Sequence, residues 1–96
     1  MLGLALLMQS GAAFAYTDYN TPTDDGQFKN CVAYSTNKWT GGDEPSPVPG
    51  QSKATAFCTC LWNETPDNFR GGLAKFSESE AGAQLSNLCS KHANWE

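Results

Sequence analysis

Four cysteines, Cys31, Cys58, Cys60 and Cys89, constrain this chain more than any other feature, because two of them stand one residue apart in a segment with helical spacing. Residues two apart on an α-helix point about 200° away from each other, so Cys58 and Cys60 cannot serve the same neighbour. A bond between them within one helical turn would be strained, which removes one of the three possible connectivities. The remaining two join Cys31 to Cys58 or Cys60 and Cys89 to the other. Either staples a middle helix to a flanking helix on both sides.

The compartment follows from the amino terminus. Met1 to Ala15 hold no charged side chain, carry an apolar run from Leu2 to Met8 and end in Ala13-Phe14-Ala15, a small-x-small pattern that suits signal-peptidase cleavage. Residues 1–15 are therefore expected to be a signal peptide and 16–96 a single small domain. A signal usually opens with Lys or Arg, whereas the first basic residue here is Lys29, leaving the amino terminus or residues upstream of Met1 to supply the charge. The run is shorter than the ~20 apolar residues that span a bilayer, so no stable membrane insertion is expected after signal removal. A secreted or periplasmic location favours two disulfides over free thiols. All ten acids and six bases lie in the expected mature part, giving a net charge of -4 that argues against nucleic-acid binding.

Periodicity makes the domain all-α, a disulfide-stapled bundle of three to four short helices. Asp24, paired with Gln27 three residues on, is the expected cap of a first helix whose stripe is Phe28, Cys31, Val32, Ser35 and Trp39. Residues 40–51, rich in Pro and Gly, cannot continue it and form a loop. Ser52 caps a second helix with the stripe Ala54, Phe57, Cys58, Leu61 and Trp62. Thr65-Pro66-Asp67 starts a third helix through Phe69, Leu73 and Phe76, with Gly71-Gly72 marking either weakness or a close backbone approach. Ser77 and Glu80 make a capping box for a fourth, with Ala81, Leu85, Leu88, Cys89 and His92 on its apolar face. No stretch alternates with period two, so no strands are expected.

Chemistry-bearing patterns are sparse. Cys58-Thr59-Cys60 lies mid-helix with a one-residue spacer, whereas redox pairs use two spacers at an exposed helix N-terminus. A zinc site from Cys58, Cys60, Cys89 and His92 would strand Cys31 and needs thiolates that an oxidising compartment disfavours, so no metal or cofactor is expected. His92, the single histidine, fits a packing residue or a helix C-terminal charge partner. The acidic pairs Asp43/Glu44, Glu64/Asp67 and Glu78/Glu80 read as caps and solubilising charge. Asn63-Glu64-Thr65 matches a glycosylation sequon.

No nucleophile elbow or comparable catalytic motif marks the chain, and the expectation is a non-enzymatic binding protein. Trp39, Trp62 and Trp95 each fall near a helix end, either sealing the bundle or forming a recognition patch. Trp39, Asp43, Glu44 and Trp62, around the Thr40–Gly50 loop, are the expected contact residues for an exported protein partner, as in an inhibitor or immunity-type protein that occludes an enzyme. The alternative is a carrier of a small apolar ligand or lipid in a cavity between the helices.

Overall fold

The computed structural model describes residues 19–66 and 72–95. The expected signal peptide, Asp67, Phe69 and Gly71 lie outside them. Four helices make up the described chain: α1 (Gly26–Lys38), α2 (Lys53–Glu64), α3 (Leu73–Glu78) and α4 (Ala83–Ala93). Among the described residues there are no strands, only an isolated antiparallel bridge between Pro45 and Ser52. None of these helices is long and apolar enough to cross a membrane.

α2 is the centre of the bundle. Ala54, Ala56, Phe57, Cys58, Thr59, Cys60 and Leu61 are all buried, and so consecutive a run leaves the helix no solvent face over its middle turns. Its most extensive packing is with α4, followed by α1. The Cys-x-Cys geometry works as the spacing requires: Cys58 bonds Cys31 on α1 and Cys60 bonds Cys89 on α4, with Cα separations of 6.0 and 5.4 Å. Both separations fall in the range that a disulfide spans without moving the backbone. Ser35, buried in the apolar stripe of α1, lies 3.7 Å from the Cys58 sulfur, and because a bonded cysteine carries no proton the hydroxyl is the donor.

Helix starts show where local chemistry governs. Ser52 accepts from the Thr55 N–H as its cap position demands. In α1 the cap is Asp25 and not Asp24: the Asp25 carboxylate accepts from Phe28 N at 3.1 Å. Asp25→Ala is therefore expected to cost about 1 kcal/mol, the usual loss for an acidic N-cap, and Asp24→Ala close to nothing, as measured by urea unfolding. Equal effects of the two substitutions would contradict this assignment.

The carboxyl-terminal half departs from the expected pattern. Ser77 closes α3 instead of opening α4, its hydroxyl donating to the Ala74 carbonyl at 2.7 Å. The cap position of α3 is Gly72, and Thr65 ends α2. A turn then carries the chain to Gly82, where α4 begins, so the inward face of α4 is Leu85, Cys89 and Ala93, while Leu88 is 46% exposed. The Ser77–Glu80 pattern is a good local match, but the close approach of Gly82 to the Phe76 carbonyl places the helix start five residues later, at the glycine.

Two segments brace the bundle from outside. Tyr19 to Thr21 strap across α2: the Asn63 side chain donates to the Asn20 carbonyl at 2.9 Å and accepts from the Asn20 N–H at 3.3 Å, and Gln51 donates to the Thr21 hydroxyl at 3.0 Å. The sequon asparagine is thus engaged in holding the strap. On the opposite side, Glu78 of α3 accepts from the Tyr34 hydroxyl at 3.1 Å and pairs with Lys38 at 3.3 Å, tying α3 to α1.

Candidate functional site

The loop after α1 is folded back on the start of α2. Gly41 takes a φ of 90°, a left-handed conformation that glycine adopts at no steric cost, and the turn lets Gly42 accept from Ala54 N at 3.0 Å. Lys53 N donates to the Glu44 carbonyl at 2.8 Å, and the Ser46 hydroxyl both donates to Gln51 O at 2.8 Å and accepts from Val48 N at 3.1 Å. These bonds give the Pro-rich stretch a fixed shape. They also fix Thr40 and Trp39 at its root.

Trp39 is the C-terminal cap of α1, its N–H donating to the Ser35 carbonyl, and its half-buried ring turns inward over α2. There it meets Phe57 edge-on with ring centroids 6.1 Å apart. The third member comes from the far end of the chain. α4 ends at Asn94, which adopts φ 54° and ψ 45°, and the two bonds Asn94 N to Lys91 O and Trp95 N to Ser90 O complete a Schellman-type reversal. The reversal lays the Trp95 ring against Trp39 and Phe57 at centroid distances of 5.9 and 5.6 Å, both perpendicular. Its indole N–H donates to the Thr40 carbonyl at 2.9 Å, joining the last helix to the loop. Edge-to-face pairs of this kind add about 0.5–1.5 kcal/mol each beyond the area they bury. Tyr34 extends the cluster, packing edge-on to Trp39 at 6.1 Å.

Beside these rings lies a groove of about 400 Å³ lined by Trp39, Thr40, Phe57, Ser86, Ser90 and Trp95. Ser86 and Ser90, four residues apart on α4, form one wall, and the aromatic rings form the rest with Thr40 at the lip. None of the six lining side chains is ionisable. Lys38 stands near the outer face of Trp39, 6.0 Å from the ring centroid, but its ammonium is engaged by Tyr34 and Glu78, which hold it protonated above its usual range.

Of the four expected contact residues, the structure gathers only part. Trp39 is in the groove. Asp43 and Glu44 are exposed on the adjoining turn, and Glu44 is paired with Lys53 at 3.3 Å. Trp62 stands elsewhere: five residues beyond Phe57, it is turned about 140° around α2 and packs against the core from another side. Trp95, grouped by the sequence with the other two tryptophans near helix ends but left out of the expected contact residues, is the one that joins Trp39. A readable sign preceded it, since asparagine is the commonest residue after glycine at a left-handed helix end, and Asn94 directly precedes the tryptophan.

His92 is half-buried on the strap side, its ring edge-on to Tyr19 at 5.2 Å. Burial lowers its pKa below the ordinary 6.5, so the folded protein holds it neutral at pH 7. Tyr19 shifts the other way. Burial, then the hydrogen bond it donates to Glu64 at 2.7 Å and that carboxylate's charge, push its pKa up to about 12. The signs give opposite pH limbs. A histidine with a lowered pKa leaves stability intact above 6.5 and removes it as pH falls through 6.5 toward the lower folded value; a tyrosine with a raised pKa leaves it intact below 10.0 and removes it as pH rises from there to about 12. His92→Gln is expected to flatten the melting-temperature profile between about pH 7 and 5, and Tyr19→Phe to flatten it above pH 10.0. Profiles that overlay the wild type in both windows would show that neither group is coupled to folding.

Among the described residues no group of three or more His, Cys, Asp and Glu side chains is placed to hold a metal ion. All four cysteines are bonded, which leaves no thiolate for zinc or redox exchange in this state. No family model, curated protein or solved structure matches the chain. The described residues form a small all-α, two-disulfide domain. Its bonds fit an extracellular or otherwise oxidising compartment.

Proposed function

We propose that this is a secreted or periplasmic, non-enzymatic binding protein whose recognition site is the groove between Trp39, Phe57 and Trp95. The observation that carries the reading is the way Trp95 is held: a left-handed asparagine, an indole hydrogen bond to Thr40 and two perpendicular ring contacts fix its position before any partner arrives. Preorganised aromatic side chains lose little conformational freedom on association, which is why tryptophan is enriched where binding energy concentrates. Asp43 and Glu44 are exposed on the turn that follows Thr40 and stand outside the groove lining.

The reading is tested by affinity capture from the exported fraction with wild-type, Trp95→Ala and Trp62→Ala proteins, each checked for native circular dichroism. Loss of a hot-spot ring is worth 2 kcal/mol or more, so Trp95→Ala is expected to weaken retention of the partner by about thirtyfold while Trp62→Ala leaves it near wild type. Undiminished capture by a folded Trp95→Ala protein would remove the groove as the binding site.

A further inference from the structure

We infer that the groove takes a neutral saccharide, a short chain of uncharged pyranose rings; the inference rests on the groove being the recognition site and specifies what enters it. Three properties of the lining converge on that chemistry. Two of its rings, Trp39 and Trp95, are half-buried and offer apolar, electron-rich surface, which suits the C–H face of a pyranose as well as it suits a hydrocarbon, while Phe57, 3% exposed, backs them from the core. The other three residues are hydroxylic, and among the described residues no protein group is hydrogen-bonded to the Thr40, Ser86 and Ser90 hydroxyls, which leaves them open to water or to a ligand. A serine or threonine hydroxyl both donates and accepts, matching the same dual capacity of a sugar hydroxyl.

The third property is charge. A site for a phosphate, a carboxylate or a basic side chain places an opposite charge in its wall, and this wall has none. Lys38, 6.0 Å from the Trp39 ring centroid, is committed to Glu78 at 3.3 Å. A purely apolar ligand fits less well, because it would cover Ser86 and Ser90 and leave their hydroxyls without water or any other partner. The volume of about 400 Å³ lies in the range of small-ligand sites. Ser86 and Ser90 stand one helical turn apart along one wall, so they present a row of hydroxyls facing the rings, an arrangement suited to an elongated ligand that stacks on one side and hydrogen-bonds on the other.

The three tryptophans supply an internal control. Titration of the oxidised protein with cellotetraose, maltotetraose and the tetramer of N-acetylglucosamine, followed by the indole N–H resonances, is expected to move the Trp39 and Trp95 signals with at least one of the three and to leave Trp62 in place. The double variant Ser86→Ala/Ser90→Ala, which removes no internal hydrogen bond and keeps the helix, is expected to weaken that binding by about tenfold, the loss of two neutral hydrogen bonds. Absence of saturable shifts with all three sugars, shifts of equal size at all three tryptophans, or unchanged affinity in the serine variant would each overturn the saccharide assignment. If sugars fail while Trp95→Ala still abolishes partner capture, the groove remains the site and only its ligand class is wrong; if both fail, the groove reading falls with it.

Discussion

Full reduction of the two disulfides is expected to unfold the protein at neutral pH. Cys31–Cys58 and Cys60–Cys89 close loops with sequence separations of 27 and 29, and in the chain-entropy account each such loop is worth about 3.5 kcal/mol. Their joint loss is therefore about 7 kcal/mol, as much as the whole stability of many small domains. The core offers little to offset it. Of the buried apolar side chains among the described residues, only Phe28, Phe57, Leu61 and Leu73 are large, and the remainder are alanines and the cysteines themselves. A reducing agent should abolish the cooperative thermal transition and most of the far-UV helical signal, and an unchanged melting temperature after complete reduction, verified by thiol labelling, would sink the idea. The two bonds should also differ in what they protect. Cys60–Cys89 holds α4, which carries Ser86, Ser90 and the reversal that positions Trp95, so Cys60→Ala/Cys89→Ala should disorganise the groove more than Cys31→Ala/Cys58→Ala does.

That asymmetry was only half legible in the sequence. The one-residue spacing forced Cys58 and Cys60 onto opposite sides of α2, because helical geometry alone decides it. Which cysteine faces which flank depends on the handedness of the bundle and the lengths of its connections, and both pairings satisfied the spacing. Helix α1 and helix α2 were readable for a related reason: their stripes run from Phe28 and Ala54 through residues that all end up buried or half-buried, and Ser52 caps where a serine should. The last third of the chain resisted. Ser77 and Glu80 made a good local capping pattern, yet tertiary contact placed the start of α4 at Gly82, and the buried face centres on Cys89 and Ala93, which leaves Leu88 on the surface. The groove failed for a different cause. Trp39 and Trp62 are 23 positions apart and flank the loop, so nearness along the chain favoured them, whereas Trp39 and Trp95 meet only because α4 runs back along α2 and ends in a left-handed residue.

Gly82→Ala is the single substitution from which the largest loss is expected. The sequence drew attention to Gly71-Gly72 as the place of close approach, but at Gly72 an added methyl would meet nothing, and Gly71 lies outside the described residues. At Gly82 it would fall inside the Phe76 carbonyl, with the carbonyl carbon at 2.7 Å and the Ser77 Cα at 3.0 Å. All three obstacles are backbone, so no side-chain rotation relieves them. The backbone angles at this residue, φ -93° and ψ 0°, are open to any amino acid, which makes the requirement for glycine one of space and not of conformation. Relief needs α4 to move away from the end of α3. That motion would strain the Cys60–Cys89 bond and the α2–α4 packing, so a cost of about 3 kcal/mol or more is expected, in the upper tail for single substitutions, with overpacking as its named cause. Gly26→Ala, where a methyl also meets nothing and φ is not positive, is the matched control, and at the start of a helix it is expected to be neutral or slightly stabilising. Urea unfolding of the two oxidised variants decides the matter: a Gly82→Ala protein within about 1 kcal/mol of Gly26→Ala would mean that α4 can shift without consequence and that Gly82 does not fix where the groove wall stands.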